Sequence, residues 1–247
     1  MKRTRTSQVL ASVLVNSLFV MKNYPVSLVD TAISPLSFLL LIFFVSRGTL
    51  VGEGILGTLI MSMFSAGMSL QSDLSHLKND FKLQDMLVSS PTPASIYVLG
   101  MSLSEVTYNI PALATLAILA TVFIQPGAWQ ALTILSVLLL MFLTSVVIGF
   151  MLSTISSDIV QSFAFQRLIS TLFSTIPPVY YPITYIPEPY RNLAYLSPTT
   201  YAAELVQATS GFISLSSQTI TLDWLILAGV TIGLVVFATK KARWRER

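Results

Sequence analysis

The sequence predicts an all-α integral membrane protein of six transmembrane helices. It adds an N-terminal amphipathic interfacial helix, a short cytoplasmic helix and a re-entrant helical segment before the last span. Three observations carry this. Apolar residues form 53% of the 247 and charged residues only 10%, against roughly a quarter charged in soluble domains, and mean hydropathy is +0.74. Runs approaching or exceeding the roughly 20 apolar residues that cross a bilayer recur along the chain. Lys and Arg gather at both chain ends and in one loop, which marks those segments as cytoplasmic.

Residues 1–25 open basic, with Lys2, Arg3 and Arg5, and continue as an amphipathic stretch up to Lys22. A signal peptide is the rival reading, but no small-residue cleavage site precedes Lys22 and another apolar run follows at once. An interfacial helix leading into the first span fits better. The spans fall at about Val26–Ser46, Ile55–Gln71, Ala94–Ile124, Trp129–Ser153, Ile159–Pro177 and Leu222–Thr239. The whole chain reads as one transmembrane domain. Residues 26–72 hold the first two spans, 73–93 a cytoplasmic loop, 94–177 the next three, 178–221 an external segment, 222–239 the last span and 240–247 a basic tail. Trp129, Trp224 and Trp244 sit at span ends, where indoles anchor. Gly54, Gly57 and Gly67 in the second span allow close helix approach.

Lys78 and Lys82 mark the loop 73–93 as cytoplasmic, together with both termini; the opposite loops carry only Arg47 and Arg191. Phe81, Leu83, Met86 and Leu87 fall within two helical turns among Asp80, Lys82 and Asp85, so a short amphipathic helix is expected over Asp80–Val88. Pro91 and Pro93 end it. It is either a surface helix capping the bundle or a docking helix offering an apolar ridge to a soluble partner.

The segment Pro177–Tyr201 holds six of the twelve prolines and six of the nine tyrosines. A helix cannot pass through it, since each proline removes an N–H donor. Irregular backbone at membrane depth is tolerated only when shielded by protein or facing a water-filled cavity. A pair of short helices is therefore expected from about Pro182 to Thr209 near the outer leaflet. Ser197 or Thr199 caps its second helix, and Glu204 lies at the outer rim.

The order of these features resembles the permease subunit of ABC transporters of the ABC-2 (type V exporter) family. In that family a cytoplasmic coupling helix of the pattern acidic/basic–x–Gly-Thr-x-x-x-Leu-Leu-Val-x-Pro docks into the ATPase. Asp80, Lys82, Asp85, Leu87, Val88 and Pro91 match it here; Leu83-Gln84 stands in place of Gly-Thr, and Met101 where a Lys is often found. The family's Pro-rich landmark before the last span is matched by Tyr181-Pro182, Ile186-Pro187 and Ser197-Pro198. Ser197 stands where Asn, and Gln207 near where Arg, is often found. The resemblance implies that Asp80, Phe81, Lys82, Leu83, Asp85, Met86, Leu87 and Val88 couple to a separate ATPase subunit. It also implies a second permease copy, as homodimer or heterodimer, and a plasma-membrane location. Tyr180, Tyr181 and Tyr185 then shape an external gate; the other reading of the block is an ordered external loop that braces spans five and six.

The chain has no G-x-x-x-x-G-K-[ST] loop to cradle phosphates, so it binds no cofactor itself and any ATP and Mg belong to a partner. The basic residues form no patch for nucleic acid. With no cysteine, disulfides, thiol catalysis and Cys metal sites are excluded. His76 is the sole histidine and lies in the cytoplasmic loop; no serine motif or pair of intramembrane aspartates suggests a protease. A secondary transporter, a channel or a membrane scaffold are the alternatives to an exporter permease. Within the third span, Glu105 and Asn109 share a face, and Pro111 bends the helix beyond them. An intramembrane carboxylate marks an interhelical bond, here to Arg167, a transport path or a proton relay. Arg167 either snorkels to the cytoplasmic interface or pairs with Glu105 or Asp158.

Overall fold

The computed structural model describes residues 5–79, 94–156 and 158–241. The fold is all-helical, and there is no strand among the described residues. Helices α1 (Arg5–Val13) and α2 (Phe19–Asn23) join through one π turn, Leu14–Leu18. Next come α3 (Pro25–Ser46), α4 (Val51–Asn79), α5 (Ala94–Tyr108), α6 (Ile110–Phe123), α7 (Ala128–Ile155) and α8 (Ile159–Thr175). A 3-10 turn at Ile183–Tyr185 then leads into α9 (Glu188–Ala194), α10 (Pro198–Thr209) and α11 (Ser217–Lys241).

Among the described residues three helices are long and apolar enough to cross a membrane: α4, α7 and α11. A fourth crossing arises if α5 and α6 count as one broken span, bent by 54°. The bend falls where the sequence places it. Pro111 has no N–H to continue the ladder, and the Asn109 side chain donates to the Glu105 carbonyl at 2.9 Å. The apolar stretch of α3 is shorter, Thr31–Ser46. Helix α8 has 17 residues and carries Gln161, Gln166 and Arg167. Three or four membrane-length elements are therefore present by length and composition.

Helix α4 is the axis of the bundle, touching α3, α5, α6, α7, α8 and α10. Ile55, Leu56, Ile60, Phe64, Met68 and Leu70 are almost fully buried along it. Its crossing with α7 is close because Gly67 has no side chain. A Cβ there would lie 1.9 Å from Ser145 Oγ and 2.8 Å from Val146 N. Polar groups stitch this core as well as apolar ones. Buried Gln71 donates to the Ser162 carbonyl at 3.1 Å, and the Ser162 hydroxyl donates to Ser75 Oγ at 2.5 Å. Where little hydrophobic force acts between helices, such packing and hydrogen bonds hold them together.

The N-terminal helix packs against α5. Asn16 Nδ2 lies 3.2 Å from the sulfur of buried Met101. The position where the resembled family often has Lys thus holds a buried thioether whose sulfur accepts from the Asn16 amide. The opposite side of this helix leaves Leu10, Leu14, Leu18 and Phe19 exposed.

Candidate functional site

At the end of the bundle where α3 turns into α4, the Pro/Tyr segment folds back over the helices. Between them lies a cleft of about 640 Å³. One wall is the last turn of α3 with the turn after it, from Leu41 to Leu50; the other is Tyr180, Tyr181, Tyr185, Ile186 and Pro187. The turn is tight, with Arg47 and Gly48 both at positive φ. The structure thus brings together the three tyrosines singled out from the sequence, and adds a wall from α3 that the sequence did not suggest. The Tyr180 ring packs 4.3 Å from Phe38, centroid to centroid, while Tyr181 stacks on Tyr185 at 6.3 Å. Burial raises the Tyr180 hydroxyl to about 12, so it stays a neutral donor at neutral pH.

The segment is held by repairs to the backbone that its prolines break. In α8 the Phe173 carbonyl would accept from residue 177, but Pro177 has no N–H. The Thr199 hydroxyl donates to it instead at 3.0 Å. Likewise Ala194, closing α9, precedes Pro198 by four residues, and its carbonyl accepts from Thr200 Oγ1 as well as from the Ser197 N–H. Ser197 caps α10, its hydroxyl accepting from the Thr199 N–H, as the sequence suggested. Buried Gln207 reaches back to the Val179 and Tyr181 carbonyls at 3.5 and 3.4 Å. Arg191 donates to the Ile186 and Thr184 carbonyls and pairs with Glu188. Helix α4 completes the seat: the bare Gly57 lies directly against the Val179 carbonyl.

Glu204 is not at a rim. It is 2% exposed, because α10 packs against α4, α7 and α11 and turns this face inward. Its Oε1 accepts from the Tyr195 hydroxyl at 3.0 Å, and its Oε2 has no partner among the described residues. Burial raises the carboxyl above its ordinary range, and the Tyr195 bond only partly offsets this. The Tyr195 hydroxyl is pushed up to about 12, first by burial and then by the charge of Glu204. Asp223 of α11 lies in the same electrostatic neighbourhood and is 1% exposed. The sequence reading missed it, because it looked like the edge of an apolar run; a lone Asp inside that run was the available signal.

The partner of Glu105 is Asp73 of α4, and Tyr97 lies beside the same aspartate. The expected bond to Arg167 does not form, since α5 packs on α4 and α1 while α8 packs elsewhere on α4 and on α7. Asn109 stays local, bonded one turn back to Glu105. Arg167 is exposed and makes no ion pair among the described residues. The expected coupling residues Asp80–Val88 lie outside the described residues. Among the described residues no cluster of three or more His, Asp or Glu could hold a metal.

Membrane-length apolar helices around a polar-stitched axis, with a tyrosine-walled cleft at one end, define a multi-pass helical membrane protein. The model of the ABC-2 type transporter family matches residues 7–210. The chain belongs to that family and is the membrane component of a transporter. No individual curated protein matches it.

Proposed function

We propose that this chain is the permease of an ATP-driven exporter that moves an amphipathic, lipidic or drug-like substrate outward through the plasma membrane. A lipid-linked glycan or a peptide falls within the same reading. The spans are α3, α4, the broken pair α5–α6, α7, α8 and α11. The termini and Asp80–Val88 lie in the cytoplasm and the tyrosine cleft outside. A separate ATPase subunit holds the ATP and Mg, and a second copy of the permease completes the path.

One observation carries this reading: the outward face of α8. Its exposed positions include Val160, Phe163, Arg167, Thr171 and Thr175, spaced as one helical stripe. Its other side is spent on α4, where Phe173 stacks on Phe64 at 5.1 Å. Arg167 lies about 12 Å along the helix at 1.5 Å per residue, near its middle. An arginine facing hydrocarbon at a span centre costs about 2.5–3.5 kcal/mol on insertion scales. Covering this face with a second copy across a wet path removes that cost.

Helix α4 supports the coupling route. It runs from Asn79, beside the expected docking segment, past Gly57, which lies under the Pro/Tyr block. A push at Asp80–Val88 would therefore reach the cleft through one rigid element. Replacing Leu83 and Leu87 together by Asp tests the assignment. ATPase co-purification is expected to disappear while the permease stays inserted; unchanged co-purification would overturn it.

A further inference from the structure

The charges of the spanning helices are sorted by sign. Within these helices the described acidic side chains turn into the fold. Glu53 and Asp223 are 6% and 1% exposed, and half-buried Asp73 and Glu105 interact with each other between α4 and α5. Among the described charged side chains Arg167 alone is exposed at the middle of a helix, with Thr171 and Thr175 one and two turns beyond it. Away from the middle, exposed Asp158 caps the start of α8 and accepts from the Gln161 N–H.

Symmetry sharpens this. A two-fold interface sets the same patch on both partners. If two copies meet across α8, each guanidinium faces a surface carrying another guanidinium and, among the described residues, no mid-helix carboxylate. Like charges facing each other across that path repel, and no such carboxylate offsets them. Among the described residues no mid-helix carboxylate shares that face, so the field there favours an anion that arrives from outside.

We propose that the outward face of α8, centred on Arg167 with Thr171 and Thr175 beyond it, takes the anionic headgroup of an amphipathic cargo. This rests on the reading that two copies face each other across α8. A guanidinium suits such a headgroup, because its planar fork matches phosphate or carboxylate oxygens two at a time and it is never deprotonated. Exposed Phe163 and Leu168 flank Arg167 with apolar surface for a hydrocarbon tail.

The chain has no cysteine, so single cysteines report cleanly. The Ala164→Cys variant, carrying an environment-sensitive dye one turn before Arg167 on an exposed position, is placed in phosphatidylcholine nanodiscs and titrated with dodecyl phosphate, dodecyltrimethylammonium and inorganic phosphate. Dodecyl phosphate is expected to saturate. Adding Arg167→Gln should weaken it at least about tenfold, which is one guanidinium–anion contact, while Arg167→Lys retains much of the binding. An equal response to the cationic amphiphile, or no effect of Arg167→Gln, overturns the inference. An equal response to inorganic phosphate overturns its amphiphile part. Cross-linking through Phe163→Cys tests the pairing separately. Cross-linking without an Arg167 effect sinks the headgroup site alone, and absence of cross-linking sinks the paired arrangement.

Discussion

Replacing Gly57 by alanine probes the contact that ties α4 to the cleft. A Cβ at this position would lie 2.4 Å from the Val179 carbonyl oxygen, 2.8 Å from Tyr180 Cδ1 and 2.9 Å from the Val179 carbonyl carbon. Real Cβ atoms essentially never approach below 3.0 Å, so the carbonyl must retreat. Two of these three atoms are backbone and cannot rotate away. The retreat also disturbs Gln207, whose Nε2 sits 3.5 Å from the same oxygen. Overpacking of this kind costs about 1–3 kcal/mol. Alanine is also a better helix former than glycine by about 1 kcal/mol, so a control must carry the same gain. Gly229 in α11 supplies it, since a Cβ there meets nothing within 4 Å. The difference between Gly57→Ala and Gly229→Ala is then the contact alone. For a chain of this size, 1 kcal/mol moves Tm by about 2–4 °C, so Gly57→Ala should melt about 2–12 °C below Gly229→Ala. Thermal unfolding in detergent measures the gap, and transport by the assembled complex should fall for Gly57→Ala while ATPase association persists. Melting points agreeing within about 1 °C, well under the effect of 1 kcal/mol, would refute the reasoning.

Glu204 gives a pH signature. Its folded pKa is raised, so the folded state keeps a proton that the unfolded chain releases. Its stabilisation is full below the ordinary carboxylate value of 4.5 and is lost as pH rises through the raised value. Glu204→Gln mimics the protonated form, so its Tm should vary less with pH than the parent's and exceed it at alkaline pH, with Asp223, Tyr195 and Tyr201 unchanged beside it. Thr199→Val should cost about 1–3 kcal/mol by orphaning the half-buried Phe173 carbonyl. In a Pro177→Ala background, where residue 177 regains its N–H, the same change should cost less, and a double-mutant cycle by thermal unfolding reads the difference.

The helices, the break at Pro111 and the short helix pair of the Pro/Tyr segment were legible because each rests on local rules. Apolar run length, the missing N–H of proline and the cap at Ser197 all act within a few residues. What was not legible is pairing. Glu105 lies on the expected face of its helix, but the sequence cannot say that α5 packs on α4 and so meets Asp73. The same limit hid the second wall of the cleft: Leu41, Ile42 and Val45 read as an ordinary apolar span. Glu204 was misplaced because a carboxylate in an external segment is usually solvated, whereas α10 here is packed on three sides. Gly54, Gly57 and Gly67 of α4 announced close contacts without naming the neighbours, which are α3, the Val179 carbonyl and α7.

Those glycines divide α4 into stations. Gly54 faces Leu39 and Ile42 of α3, Gly57 the Pro/Tyr block and Gly67 the crossing with α7. Beyond them Gln71 and Ser75 fasten the helix to Ser162 at the start of α8. A helix of 29 residues spans about 43 Å at 1.5 Å per residue, more than the hydrocarbon core, so one element touches every neighbour that frames the proposed path. Packed interfaces do not deform continuously; they hold or shift as units. A displacement at the Asn79 end of α4 would thus carry α8, with Arg167, and the cleft-lining tyrosines together rather than in sequence. The face proposed to bind the headgroup and the cleft proposed to release the cargo would change in one step, as alternating exposure of a single path requires.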